Sequence, residues 1–311
     1  MEKNPYEVMD LKALRCFHAV ARNLSFTRAG VELGISEAAV SQRVKALEGS
    51  LGVKLYETHG GRVRLTAAGE RTLAFSTSVF DEIAAFEREV IGAEQTAELA
   101  LAAHDAILGY LLPDAAEAFR RAHPLAKLRL LARPVEETLR LLKSNDIDVG
   151  VIPERELPKE FRCEPIATFG ACLLTARGHP LARRAQSDFR GLLNEETLNR
   201  YPLIVAEVQL EGYLLKETFA GLRLPLNVGM EVGTFDTLKR YVARGLGIAV
   251  VSGMCVTVED RQRLEVVAVP SELDVDARYD IVMRSDKHQT PLLKDLLRLI
   301  KLSGASAKRR G

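Results

Sequence analysis

Tryptophan is absent from this chain of 311 residues and aromatics make up only 6% of it. The four cysteines, Cys16, Cys163, Cys172 and Cys255, stand in no CxxC or other metal-ligand spacing. They read as small buried hydrophobes, and no metal is expected. None of the six histidines falls in a HExxH, HxH or Cys/His ligand pattern, and no GxSxG, Walker or GxGxxG loop follows a strand. The glycines of "GLGIA" lie at a helix end leading into a strand, the reverse of the order that aims helix N–H groups at a phosphate. His104-Asp105 could suggest a general base, yet no nucleophile stands near it in sequence. Neither an enzyme nor a cofactor is therefore expected. No apolar run is long enough to span a bilayer, and "MEKNPYEVMD" lacks the basic start and apolar stretch of a signal peptide. A cytoplasmic protein without membrane contact is the expectation. Its 47% hydrophobic and 27% charged residues suffice for two or three domains with cores of their own.

An excess of one charge is missing too, since the whole chain carries a formal net charge of only +1. The balance is local. Residues 1–66 hold 10 Lys and Arg against 7 Asp and Glu, whereas residues 67–96 hold 2 against 6. The basic footprint belongs to the N-terminal segment. Within it, "GISEAAVSQRVKALEGSLG" (34–52) combines an apolar stripe with a face that can do no covalent chemistry. At about 100° per residue, Val40, Val44, Leu47 and Leu51 share one side. Ala38, Gln42, Lys45 and Gly49 point away from it, with Ser41 beside them and Arg43 at the border. A Gln amide donates and accepts at once, as adenine N6 and N7 require, and a small residue lets the helix approach closely. Lys and Arg suit phosphates.

The preceding residues supply the rest of a DNA reader. "DLKALRCFHAVAR" (10–22) places Leu14, Phe17 and Val20 at helical spacing, and Asn23-Leu24 closes it. Ser25 is placed to cap "SFTRAGVEL", Gly34 to adopt a positive φ at its end, and Ser36 to cap the next helix. Helix, tight turn and helix have the length of a helix-turn-helix. "KLYETHGGRVRLT" (54–66) then reads as two short strands joined at Gly60-Gly61, with Val63 and Leu65 alternating against Arg62 and Arg64: a basic wing.

The run "SFTRAGVELGISEAAVSQRVKALEGSLGVKLYETHGGRVRLTAAG" (25–69) resembles the winged helix of LysR-type transcriptional regulators. The Ser-Phe-Thr-Arg-Ala start, the Ala-Val-Ser core, the Leu-Glu…Leu-Gly run and the Leu-Thr-x-Ala-Gly exit occur in order. Two positions depart from the family pattern: Gly30 stands where Ala is usual, and Thr58 where Arg is usual. Taken with the helical angles, the resemblance implies DNA contacts from Ser25, Thr27, Arg28, Ser36, Ala38, Ser41, Gln42, Arg43, Lys45, Arg62 and Arg64.

Residues 67–91, "AAGERTLAFSTSVFDEIAAFEREVI", read as one long helix with two apolar stripes. Leu73, Phe80, Ala84 and Ile91 form one; Phe75, Val79, Ile83, Phe86 and Val90 form the other, about 110° away. One stripe can pack on the winged helix, and the second is then left for an antiparallel copy, giving a homodimer that presents two reading helices to an inverted repeat of double-stranded DNA. "GAEQTA" (92–97) reads as a hinge. From Glu98 strands and helices alternate, which predicts α/β units with a parallel sheet. Lobe I is expected over 98–165 and 266–302 and lobe II over 166–265, with the chain crossing between them twice. "SGASAKRRG" (303–311) reads as a frayed basic tail. The fold class is thus α+β overall: an N-terminal winged helix-turn-helix (1–66), a long linker helix and a C-terminal two-lobed α/β effector domain. That last part, through "LLP", "DVGVI", "HPLA" and "GLGIAVV", is similar to the family's effector domain and so to periplasmic binding proteins.

Ligands in such sheets sit beyond the carboxyl ends of strands. The effector candidates are therefore His104, Asp105 and Ala106 after the first strand, Arg133 after the second, Glu207, Val208 and Gln209 after "PLIVA", and Thr234. Because "AAHDAIL" is apolar rather than rich in hydroxyls, an organic effector with a charged and an apolar part is expected over a sulfate-like anion. The reading is a DNA-binding transcriptional regulator switched by a small molecule, homodimeric or homotetrameric, with RNA polymerase as a further partner. Two alternatives stand beside it: a cytoplasmic small-molecule-binding protein with vestigial DNA binding, and a regulator sensing redox through Cys163 and Cys172.

Overall fold

The computed structural model describes residues 9–59, 62–91, 98–185, 189, 194–207, 227–270 and 276–310. Two compact units are present: residues 1–94 with 143–146 and 286–290, and the remainder.

The first unit starts with α1 (Leu11–Asn23), α2 (Phe26–Leu33) and α3 (Glu37–Leu51). Ser25 and Ser36 cap their helices as the sequence predicts, accepting from Arg28 N–H and Ala39 N–H, and the structure adds Asp10, which accepts from Lys12 N–H at the start of α1. Gly34, at φ 67°, turns α2 into α3. Leu14, Phe17, Val20, Val40, Val44 and Leu47 are fully buried and form one core with Leu55. The wing is β1 (Tyr56–His59) paired antiparallel with β2 (Arg62–Leu65), and α4 (Ala67–Ile91) follows. Leu73, Val79 and Phe80 of α4 pack on the winged-helix core. Val79, expected on the partner-facing stripe, is instead partly buried against the core of its own unit.

The second unit has two sheets. One has the order β4 (Lys127–Ala132), β3 (Glu98–Ala103), β5 (Val149–Pro153), β12 (Ala277–Arg284), β6 (Phe161–Phe169). The expectation of a parallel sheet holds for β4, β3 and β5; β12 runs antiparallel to both its neighbours. A π-helical turn (Ile107–Leu111), α5 (Pro113–Ala122) and α11 (Pro291–Arg310) share a core with one face of this sheet, and α6 (Val135–Lys143) covers the other. The second sheet joins β10 (Ala249–Ser252), β7 (Ala171–Ala176) and β11 (Leu264–Ala268). β8 (Leu203–Ala206) pairs parallel with β9 (Val228–Val232) and bridges to Ile248 beside β10. Around them stand α7 (Pro180–Ala185), α8 (Glu195–Arg200), α9 (Phe235–Ala243) and α10 (Asp260–Arg263).

Three boundaries differ from the sequence expectation. The first crossing lies at Gly170, not 165, because β6 stays paired with β12 up to Phe169. β11 remains with the second lobe to Ala268, held in register on β7 through Ala268 opposite Cys172. Residues 303–310 continue α11 instead of fraying: Ser303 is buried and donates to Leu111 C=O at 2.6 Å, which fastens the helix beyond Leu302. The expected hinge, 92–97, lies outside the described residues.

Candidate nucleic-acid interface and effector site

The capped start of α3 and its buried stripe settle which side faces out. Val40 and Val44 are fully buried, and this leaves Ala38, Gln42, Arg43 and Lys45 exposed, with Ser41 half-buried. Arg43 reaches back to Cys16 Sγ at 4.0 Å, so its guanidinium lies along the α1 side of the helix. Thr27, expected on DNA, donates its hydroxyl to the Glu37 carboxylate at 2.7 Å and ties α2 to α3. Ser25 and Ser36 face their own helix starts, and Arg28 is exposed. The departure at Gly30 has a steric cause: a Cβ there would sit 2.8 Å from Ile35 C=O, so glycine lets the turn close on α2. Phe26 and Tyr56 meet edge-on at 4.8 Å and pin the wing base to α2. Arg64 is exposed on β2, opposite Glu57.

On α4, Phe75 is 51% and Phe86 65% exposed, while Ile83 is half-buried. Large aromatics left in water on a helix whose other side is packed make an unpartnered apolar stripe. The side chains of Arg62 and Val90, and all of Val208 and Gln209, lie outside the described residues.

In the second unit the strand ends converge in two groups. Ala103 of β3 pairs with Ala132 of β4, and Arg133 N–H donates to Ala103 C=O at 2.9 Å, so His104 and Arg133 begin adjacent turns. Ala206 of β8 pairs with Val232 of β9, which sets Glu207 beside Gly233 and Thr234. His104 Nδ1 accepts from Ala106 N–H at 3.3 Å and caps the turn it precedes. Asp105 is exposed and Ala106 buried. Thr234 is spent as the N-cap of α9, accepting from Thr237 N–H at 3.2 Å. Arg133 is not an unengaged cation: Nη1 donates to Ala132 C=O at 2.7 Å, and Nε lies 3.2 Å from the Glu137 carboxylate one turn on.

The two groups are joined by residues that sequence reasoning missed. Tyr110, in the turn after His104, donates to Asp236 Oδ1 at 2.5 Å, on the first turn of α9. Beneath it Lys239, 6% exposed, donates to Asp260 Oδ2 at 2.7 Å and Cys255 C=O at 3.0 Å, with its ammonium 4.6 Å from the Tyr110 ring centre. A buried ammonium needs such a carboxylate, carbonyl and ring face. Burial, then the bond to Asp236, pushes the Tyr110 phenol far up, and the bond from Tyr110 holds Asp236 below the usual carboxylate range. The one legible signal was Lys239 on the apolar side of α9, where Leu238 and Val242 are buried.

The cysteines do not favour a thiol sensor. Cys163, exposed on β6 and not buried as the sequence reading expected, and the buried Cys172 of β7 lie in different sheets, and desolvation raises both thiols. Cys255 is fully enclosed and pushed up to about 12 by the same cause. A raised pKa leaves little thiolate to react. Among the described residues no group of three or more His, Cys, Asp or Glu could hold a metal ion, and no described helix is long and apolar enough to cross a membrane.

A capped reading helix with a hairpin wing, followed by two α/β lobes that share double crossings, defines a DNA-binding protein with a ligand-binding module. Comparison with known proteins agrees over both parts. The family model of the LysR substrate binding domain matches residues 92–303, and that of the bacterial regulatory helix-turn-helix protein, lysR family, matches residues 11–70. The chain belongs to the LysR family of transcriptional regulators. It is 30% identical over 312 residues to the HTH-type transcriptional regulator CbbR of Xanthobacter flavus, covering 95% of this chain and 88% of that protein. It is 29% identical over 289 residues to the RuBisCO operon transcriptional regulator of Allochromatium vinosum, covering 91% and 92%. The fold is shared with a full-length OxyR variant from Pseudomonas aeruginosa (TM-score 0.69, 22% identity, 97% of each chain) and with full-length BenM (TM-score 0.56, 19% identity, 96% and 97%). It is therefore a DNA-binding transcriptional regulator with an effector-binding domain, and the reading as a binding protein with vestigial DNA recognition is not favoured.

Proposed function

We infer that two copies of this chain, paired through α4, lay their α3 helices in successive major grooves of an inverted repeat, and that a small organic effector held between the two α/β lobes alters the spacing of those helices. The carrying observation is the face of α3: Gln42 and Lys45 stand exposed beside the small Ala38, above a fully buried Val40 and Val44. That face admits close approach to base edges and offers an amide to read them. Arg64 on the wing, Arg28 and Arg43 supply phosphate contacts. The unpartnered Phe75 and Phe86 support pairing by α4, and dimers of such dimers would give the tetramer. Action on DNA from within the cytoplasm follows from this role.

The effector reading draws on the adjacency of the turns after β3 and β4, joined by Tyr110 and Asp236 to the start of α9. Gel shift against the chain's own upstream region at several salt concentrations tests the DNA reading. Affinity should fall log-linearly as salt rises, with a slope near −0.9 for each phosphate neutralised. Salt-independent binding, or equal affinity for unrelated duplexes, would refute it.

A further inference from the structure

Leu55 is the point at which three elements of the first unit are tied. α3 ends where Gly52 N–H returns to Glu48 C=O at 2.8 Å, and the chain doubles back so that Lys54 and Leu55 run beside Glu48. The Glu48 carboxylate, 5% exposed, accepts Leu55 N–H on Oε1 at 2.8 Å and the Lys54 ammonium on Oε2 at 2.9 Å. From the opposite side Thr66 N–H donates to Leu55 C=O at 3.1 Å, and the Thr66 hydroxyl donates to Lys54 C=O at 2.7 Å. That hydroxyl also accepts from Gly69 N–H at 3.0 Å, capping α4. α4 passes so close that a Cβ on Gly69 would fall 1.9 Å from Leu55 C=O. Glu48 belongs to the reading helix, Leu55 opens the wing, Thr66 closes it, and Gly69 begins the linker helix.

A carboxylate on the buried side of α3 costs desolvation that an apolar residue of similar volume would not. Here both oxygens are matched, one to a backbone N–H and one to an ammonium, so the group fixes direction as well as filling space. We propose that Glu48 is a positioning residue for DNA recognition: it holds the wing at a set angle to α3, so that the two contact one half-site as a single rigid reader. The proposal rests on the placement of α3 and the wing on DNA argued above.

The test is a pair of double-mutant cycles on operator binding by the full chain. In the wild type Arg64→Ala, on the wing, should cost about five-fold in affinity, the scale of one lost phosphate contact. In the Glu48→Ala background the same change should cost less than about two-fold, since a released wing no longer delivers Arg64 to DNA. Gln42→Ala should cost the same factor in both backgrounds, because α3 keeps its own seat in the core. Glu48→Gln, which can still accept Leu55 N–H, should restore most of the Arg64 effect. If Arg64→Ala cost the same factor in both backgrounds, or if Gln42 lost its effect together with Arg64, Glu48 would be an ordinary core group and the proposal would fall. If Arg64→Ala cost nothing in the wild type, the wing would be off the DNA, and the placement would fail first with the proposal after it. Should Glu48→Ala not fold, the cycle is run in Glu48→Leu, which keeps the volume and removes both the Leu55 and Lys54 bonds, and full additivity there overturns the proposal.

Discussion

Gln42 is the residue on which base reading turns. Its side chain is exposed on α3 two residues from each of the buried Val40 and Val44, and an amide there can make the paired bonds that distinguish adenine. Gln42→Ala should therefore lose roughly 1 to 3 kcal/mol of discrimination at particular operator positions, measured by binding to a set of single-base operator variants. Arg43→Ala should instead weaken all duplexes alike and flatten the salt slope. Unchanged base preferences in Gln42→Ala would mean that α3 enters the groove by another face. Thr27 is the instructive neighbour. Its hydroxyl donates to Glu37, ten residues on, a tie between α2 and α3 that no local sequence pattern reveals.

At the scale of elements, α4 and α9 each carry a contact that can be broken singly. Phe75 and Phe86 lie 11 positions apart on the water side of α4, close to three turns, so one partner helix can cover both. Phe75→Asp with Phe86→Asp should shift the protein to lower oligomers in analytical ultracentrifugation, because a carboxylate in an apolar seam costs several kcal/mol. Wild-type sedimentation would remove α4 from the interface. α9 is linked to the turn after β3 through Tyr110 and Asp236. Tyr110→Phe should lower stability by about 1 kcal/mol, a single charge-assisted bond to a largely exposed carboxylate, read from the urea midpoint. Asp236 is depressed below its unfolded value, so its share is present above about pH 4 and lost as pH falls through the lowered value. The raised Tyr110 phenol keeps its proton at and above its ordinary value near 10. The Tyr110→Phe difference should thus be flat between pH 5 and 9, and a slope within that window would overturn this account of the contact.

Across the whole molecule, what was legible in the sequence followed periodicity and capping, and what was not depended on pairing at a distance. Ser25, Gly34 and Ser36 marked α2 and α3 because caps act within four residues. The strand-helix alternation located β3 to β5, but the lobe boundary was set at 165, and only the pairing of β6 with β12 on one side and of β7 with β10 and β11 on the other fixes it at Gly170. Arg133 was chosen for its place at a strand end, and the structure adds that Glu137 lies against it, a neighbour set by α6 beginning at Val135. That pair yields a sharper test of the switch than Arg133 alone. An effector carboxylate seeking Arg133 must displace Glu137, so each gains what the other loses. Among carboxylated metabolites that raise the melting temperature of the full chain, the shift should shrink in Arg133→Ala and grow in Glu137→Gln, since a ligand stabilises the native state in proportion to the logarithm of its concentration over Kd. Effector-free operator affinity should stay within a few-fold of wild type in both variants. If both variants moved the shift the same way, the charge contest would not exist. If either one changed operator binding without any effector, Arg133 and Glu137 would serve a contact between subunits, and the anchor for the effector would have to be sought at Glu207 or His104.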